Sequence, residues 1–239
     1  MEKSKKVKLT LGLFYLLVVS SFLYFFLSKF TFEELTSYEF IKNNRDYFFE
    51  IKQANLFLTS LVFLILTIVW VVMAGFGLPI ALLAGFIFGK FLGIFLLTIG
   101  MSIGATILYI LGNYFFKEII KEKFLNKFKN LEIKFKKSEF IYLFIYRFVG
   151  GIPFALSNVL PCIFNVKVTN FFLATLIGIT PQLFLIVSIG SGLEKVIEQN
   201  LEAPRIKDLI YSPDVYLPMI AFIVLIIITF IAKKIFYKN

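Results

Sequence analysis

Between Leu56 and Phe116 the chain carries no acidic side chain and one basic one, Lys90. A stretch so poor in charge belongs in a bilayer, where one helical span takes about 20 apolar residues. Its sixty-one residues exceed two simple spans. It is punctuated by Gly75-Phe76-Gly77-Leu78-Pro79. Proline has no backbone N–H to donate and disfavours helix in the residue before it. The pattern predicts an apolar piece over 56–74, a break, a short piece from Ile80 to Phe91, and a helix from about Leu92 to Phe116. Gly85, Gly89 and Gly93 lie four apart, as do Gly100 and Gly104, a spacing that lets membrane helices approach closely.

This broken run has a twin. Moved forward by 74 positions, Gly77, Pro79, Ala81 and Leu82 fall on Gly151, Pro153, Ala155 and Leu156. The same offset carries Ile103, Gly104 and Thr106 onto Ile177, Gly178 and Thr180. Two motifs held in one register indicate an internal duplication, with the Gly-x-Pro pair carrying most of the weight. In the second copy an apolar piece over 140–149 meets the break at Gly150-Gly151-Ile152-Pro153. A short piece ends near Pro161, and a helix over about 168–189 contains Gly178 and Pro181. Broken segments at matching positions of two halves are a sequence pointer to a transporter binding site.

Composition narrows the function classes. A hydrophobic content of 59% over 239 residues describes an integral membrane protein. The net charge of +10 comes from lysines flanking apolar runs, which suits an anionic membrane surface rather than nucleic acid, for which no binding signature is present. With one cysteine (Cys162) and no histidine, a disulfide framework, a thiolate cluster, the usual zinc sites and His-based triads are excluded. No phosphate-binding glycine loop and no metal or cofactor site is expected, nor an enzyme.

The islands of charge divide the chain. Residues 1–55 hold Lys3, Lys5, Lys6 and Lys8, an apolar run from Leu9 to Leu27, and a mixed-charge segment over 29–55. The run is longer than a signal h-region and lacks a small-residue cleavage site, so a retained transmembrane helix is expected, with a cleaved signal as the alternative. Phe32, Leu35, Tyr38 and Ile41 give the 29–55 segment helical spacing, for an interfacial helix or a loop helix packed on the protein. Residues 56–116 and 140–190 are the two repeats. Between them, 117–139 is a basic amphipathic linker expected along the membrane surface. Residues 191–239 hold a polar loop and a last transmembrane helix over 215–232.

Basic side chains orient this arrangement. The N-terminus, the linker and the C-terminus hold four, eight and three of them, against four in 29–55 and three in 190–214. The first three regions are therefore expected in the cytoplasm. Repeat one then runs inward and repeat two outward, which requires inverted topology. The expected fold is an all-α integral membrane protein, an inverted repeat of two opposed re-entrant hairpins each followed by a transmembrane helix, plus N- and C-terminal transmembrane helices. Broken segments that crossed fully would keep the same parity, but 140–165 is too short for two spans.

Arg147 is the candidate binding residue. An Arg near the bilayer centre costs roughly 2.5–3.5 kcal/mol on insertion scales, so it faces a cavity or a partner unless it snorkels to the interface. Four to six residues on, Gly151, Ile152 and Pro153 are expected to open a helix whose N-terminus converges with the guanidinium on an anion such as phosphate. Asn158 is expected to add a hydrogen bond, or else to bond between helices. Gly77 and Pro79 are their counterparts in the first copy. Neither hairpin nor its following helix contains a carboxylate for a proton relay.

These residues give the chain a family likeness. Gly77-x-Pro79, Ala84-Gly85-x-x-Phe88-Gly89-x-x-x-Gly93, Gly104-Ala105, Arg147-Phe148, Pro153-Phe154, Asn158 and Thr175-x-x-Gly178-x-x-Pro181 resemble the DedA-like superfamily. It is also called the VTT-domain or SNARE-associated Golgi protein family. The likeness is closest to the bacterial branch related to the yeast late-Golgi vesicle protein. The resemblance covers roughly 57–190 and implies two opposed re-entrant hairpins and movement of lipids between leaflets. Bacterial relatives are linked to recycling polyprenyl phosphate, and eukaryotic ones to phospholipid scrambling. It implies a multi-pass protein of the cell inner (plasma) membrane, a flippase or scramblase whose partners are lipids with anionic head groups. A homo-oligomer is left open. The chain departs from the pattern at Gly150, where relatives often have proline, and at Cys162, where glycine is common. The acidic residues of proton-coupled members have no counterpart in the first hairpin. An ion-coupled transporter of a small solute and a structural or envelope-assembly membrane protein are the competing readings.

Overall fold

Among the described residues the apolar runs form helix, which pairs its own N–H and C=O groups where no water can. In a computed structural model of the chain, the described residues are 2–29 and 37–198, with scattered positions between 211 and 227. The elements are α1 (Glu2–Lys29), α2 (Tyr38–Asn43), α3 (Arg45–Ala54), α4 (Leu56–Val72), α5 (Gly77–Lys137), α6 (Glu139–Val149), α7 (Phe154–Val159) and α8 (Val168–Glu198), with a 3-10 turn, Leu160–Phe164, after α7. Among the described residues three helical runs are long and apolar enough to cross a bilayer: Lys6–Lys29, Gly77–Phe116 and Val168–Glu194.

The 40 residues of Gly77–Phe116 would make a straight rod of about 60 Å, twice a bilayer's hydrocarbon thickness. They do not form one. Gly89 has φ +74°, and a Cβ placed on Gly93 would lie 2.6 Å from the carbonyl oxygen of Ala84. Residues nine apart touch only if the chain reverses between them, so 77–88 folds back along the rest of α5. The expected short piece and the helix after it are both present, joined at Gly89 rather than at about residue 92. Side by side with α5, α4 places Leu64 and Thr67 against Gly100, and Ile68 and Val71 against Gly104.

The second half repeats the arrangement. Phe144 and Arg147 of α6 pack on Gly178 of α8, while α7 and the 3-10 turn return towards Asn165, which has φ 49°. Each return segment then packs on the long helix of the other half. A Cβ on Gly85 would lie 1.9 Å from the Val187 carbonyl oxygen, and one on Gly190 would lie 2.1 Å from that of Leu82. Reciprocally, Val159 and Cys162 lie against Gly112 of α5. Tyr109, Leu97, Ala105, Phe171, Ala174 and Val187 form the buried core between the long helices.

Several segments differ from expectation. The 29–55 segment forms two short helices separated at Asn44, and α3 meets α4 at 118°. Phe32 and Leu35 lie outside the described residues. The backbone of the basic linker continues α5 as helix to Lys137. Asn113 and Glu139 nonetheless both reach the 165–167 turn, at 3.4 Å to Asn165 and 3.2 Å to the Lys167 N–H. A straight helix between them would be about 39 Å long, so this stretch also turns back. α8 continues to Glu198, past residue 190 where a loop was expected to start; 199–210 lie outside the described residues. Described positions between 213 and 227 are helical; the rest of the last helix, with Lys233, Lys234 and Lys238, lies outside the described residues.

Close backbone contact between the halves depends on having no Cβ at Gly85 and Gly190. Gly85→Ala or Gly190→Ala is expected to cost at least about 1–3 kcal/mol, read as a lowered thermal unfolding midpoint in detergent. Gly192, with nothing within 4 Å of its notional Cβ, should tolerate alanine without loss.

Candidate functional site

The two breaks meet in one place. A cavity of about 160 Å³ is lined by Gly77 and Met101 from the first half and by Arg147, Gly150, Gly151 and Gln182 from the second, among others. Arg147 occupies the last turn of α6 and is 4% exposed, so it does not snorkel. Nε donates to Thr175 Oγ1 at 3.1 Å and one terminal nitrogen to Asn158 Oδ1 at 2.7 Å; the other donates to Ser157 Oγ. Ser157 donates its own hydroxyl hydrogen bond to the Phe154 carbonyl, 2.7 Å away, which leaves its oxygen lone pairs to accept. The rings of Phe171, Phe154 and Tyr146 lie 5.0, 5.4 and 5.8 Å from the guanidinium carbon.

Every one of these partners is neutral. They solvate the guanidinium without cancelling its charge, and no carboxylate among the described residues forms an ion pair with it. Three of its five N–H groups are used, a geometry that holds the planar fork in one orientation. The cavity beside it therefore combines positive potential with small, mostly apolar walls. An anion is the chemistry it suits.

Glycine is required at the break itself. Gly150 and Gly151 have φ +68° and +86°, a region that costs a side-chain-bearing residue roughly 1–2 kcal/mol. The end of α6 leaves carbonyls without helical partners, and Gln182 Nε2 donates to those of Arg147 and Phe148, at 2.5 and 2.7 Å. Gln182 thus ties the break to α8 while lining the cavity.

The expected site residues divide accordingly. Arg147, Gly151 and Gly77 come together at the cavity. Asn158 is fully buried and holds the guanidinium instead of facing the cavity. Pro153 and Pro79 do not line it. The expected helix opens one residue later than Pro153: α7 starts at Phe154, and Pro153 is its N-cap at φ −49°, ψ 132°, with its carbonyl accepting from the Ser157 N–H at 2.9 Å. Sequence reasoning missed the roles of Ser157, Thr175 and Gln182. Thr175 and Gln182 lie seven apart, on one face of a predominantly apolar helix, a signal that could have found them.

The sequence profile of the VTT domain matches residues 76–192, which contain every residue of this site. The chain is 26% identical over 136 residues to Transmembrane protein 41 homolog of Caenorhabditis elegans, covering 54% of this chain and 55% of that protein. It is 30% identical over 115 residues to the uncharacterized protein YqeD of Bacillus subtilis, covering 47% and 55%. The chain thus spans about half the length of these curated relatives. No solved structure matches it.

Removing one acceptor without changing shape tests the cradle. Thr175→Val leaves the Nε–H buried and unpaired and should cost about 1–3 kcal/mol in thermal unfolding. Thr180→Val, which removes only a local bond to the Leu176 carbonyl, should cost clearly less.

Proposed function

We propose, from the premise that this chain belongs to the VTT-domain family and is a multi-pass membrane protein, that it moves phosphate-headed lipids between leaflets as a non-enzymatic flippase or scramblase. One observation carries the reading. A buried guanidinium held only by neutral partners sits at a cavity where the two breaks meet. In this reading a polyprenyl phosphate or phospholipid head group occupies the cavity against Arg147 while its tails stay in the surrounding lipid. The family's link to lipid scrambling supports the assignment.

The inverted-repeat reading fits the reciprocal packing. Gly85 meets α8 near Val187 and Val159 meets α5 at Gly112, as a two-fold relation between halves offset by 74 residues would require. Hairpins dipping from opposite faces would present the cavity to either leaflet by small relative movements of the halves. The basic side chains favour cytoplasmic termini and linker in a plasma membrane.

The test is transbilayer movement of labelled polyprenyl phosphate and labelled phospholipid in liposomes holding the purified protein. Movement of the polyprenyl phosphate alone identifies a selective carrier, and movement of both a scramblase. Arg147→Ala should reduce the rate at least tenfold while leaving expression and a monodisperse elution profile intact. Unchanged movement in that variant sinks the site. Movement of neither lipid by the folded wild-type protein sinks the function.

A further inference from the structure

A second polar hollow lies apart from the Arg147 cavity, where the end of α5 meets the starts of α6 and α8. It encloses about 440 Å³ and is lined by Lys136, Lys137, Ser138, Glu139, Lys167 and Asn170, with Phe140 and Ile141 at its edge. Its one carboxylate is already engaged. Glu139 Oε2 accepts from the Lys167 backbone N–H at 3.2 Å and from Asn170 Nδ2 at 2.9 Å. That bonding orders the floor of the hollow, to whose lining Lys137 and Lys167 bring ammonium groups.

Its position is as informative as its charge. Lys167 directly precedes the membrane-spanning run Val168–Glu194, so the lysines lie at the boundary between lipid and water. Around them Phe140, Ile141 and Val168 are 36%, 42% and 44% exposed. A free phosphate would use the lysines and ignore this apolar rim. An anionic lipid would use both, with its head group among the ammoniums and its acyl chains along the rim.

We infer that this crevice is a docking site for the head group of an anionic lipid at the membrane surface. The binding claim stands on these residues alone. Only its role as a loading place for the deeper cavity rests on the transport reading. Arg147 lies eight residues beyond Glu139 on α6, about 12 Å further along the same helix.

The experiment titrates the full chain in neutral detergent with short-chain phosphatidylglycerol, counting bound lipid by native mass spectrometry. Phosphatidylcholine and inorganic phosphate serve as the other two probes. Phosphatidylglycerol is expected to bind in preference to phosphatidylcholine. Lys137→Gln with Lys167→Gln should weaken it by about 25-fold, about fivefold for each lysine. Lys52→Gln, on α3, should leave it unchanged. Equal affinity in the double variant overturns the inference, and so does displacement by inorganic phosphate at similar concentration. Loss of binding in Arg147→Ala but not in the lysine variant would remove the crevice and leave the transport reading standing. Loss in the lysine variant, with lipid movement unaffected in Arg147→Ala, would do the reverse.

Discussion

A helix that stops inside a bilayer exposes carbonyls that water cannot reach, and this architecture depends on how those carbonyls are satisfied. At the end of α6, Gln182 supplies one amide to two of them. At the end of α4, the Tyr15 hydroxyl of α1 donates to the Val72 carbonyl, and Trp70 Nε1 reaches forward to that of Phe76 at 2.8 Å. Each donor comes from a helix that packs beside the break or from the turn before it. The breaks are therefore built into the tertiary structure, and the space between them persists as a cavity.

Packing around that cavity follows from missing side chains. Gly85, Gly93 and Gly190 let backbones meet at distances no Cβ would allow, and Gly178 does the same for Arg147 on α6. The alternative, alanine or larger at these positions, would push the return segments away from the long helices and open the bundle. Small residues between membrane helices gain dispersion contact and weak C–H···O interactions, which replace the hydrophobic drive that lipid does not supply. Rigid contact at the ends and a gap at the breaks are two sides of one arrangement.

Charge is distributed to match. One cation is buried at the breaks among neutral acceptors and aromatic faces, and further cations gather at the polar end of α6 and α8. Beside the latter, Glu139 is engaged by hydrogen bonds. The result is positive potential at the surface and again in the interior, where no carboxylate among the described residues pairs with Arg147. A mobile anion can complete such a site, whereas a fixed carboxylate would have closed it.

Much of this was legible in the chain itself. Charge-poor length dictates membrane helices, because an unpaired backbone is too costly in lipid, and Gly-x-Pro dictates where they break. The 74-residue offset points to an internal duplication, and an Arg in an apolar run marks a candidate site because its burial needs a reason. Tertiary structure decided the rest. Whether Arg147 snorkels or turns inward depends on Ser157, Asn158 and Thr175 arriving from other elements, which spacing along one helix does not encode. Pro153 was expected as the first helical residue, and it is instead the extended N-cap of a helix that begins at Phe154. Gly89 reverses the run about three residues before the expected join, where Gly93 meets Ala84 and no local breaker stronger than glycine marks the place. Composition and spacing set what must be buried; only three-dimensional packing settled which polar groups met there, because their partners lie 10 to 35 residues away in sequence.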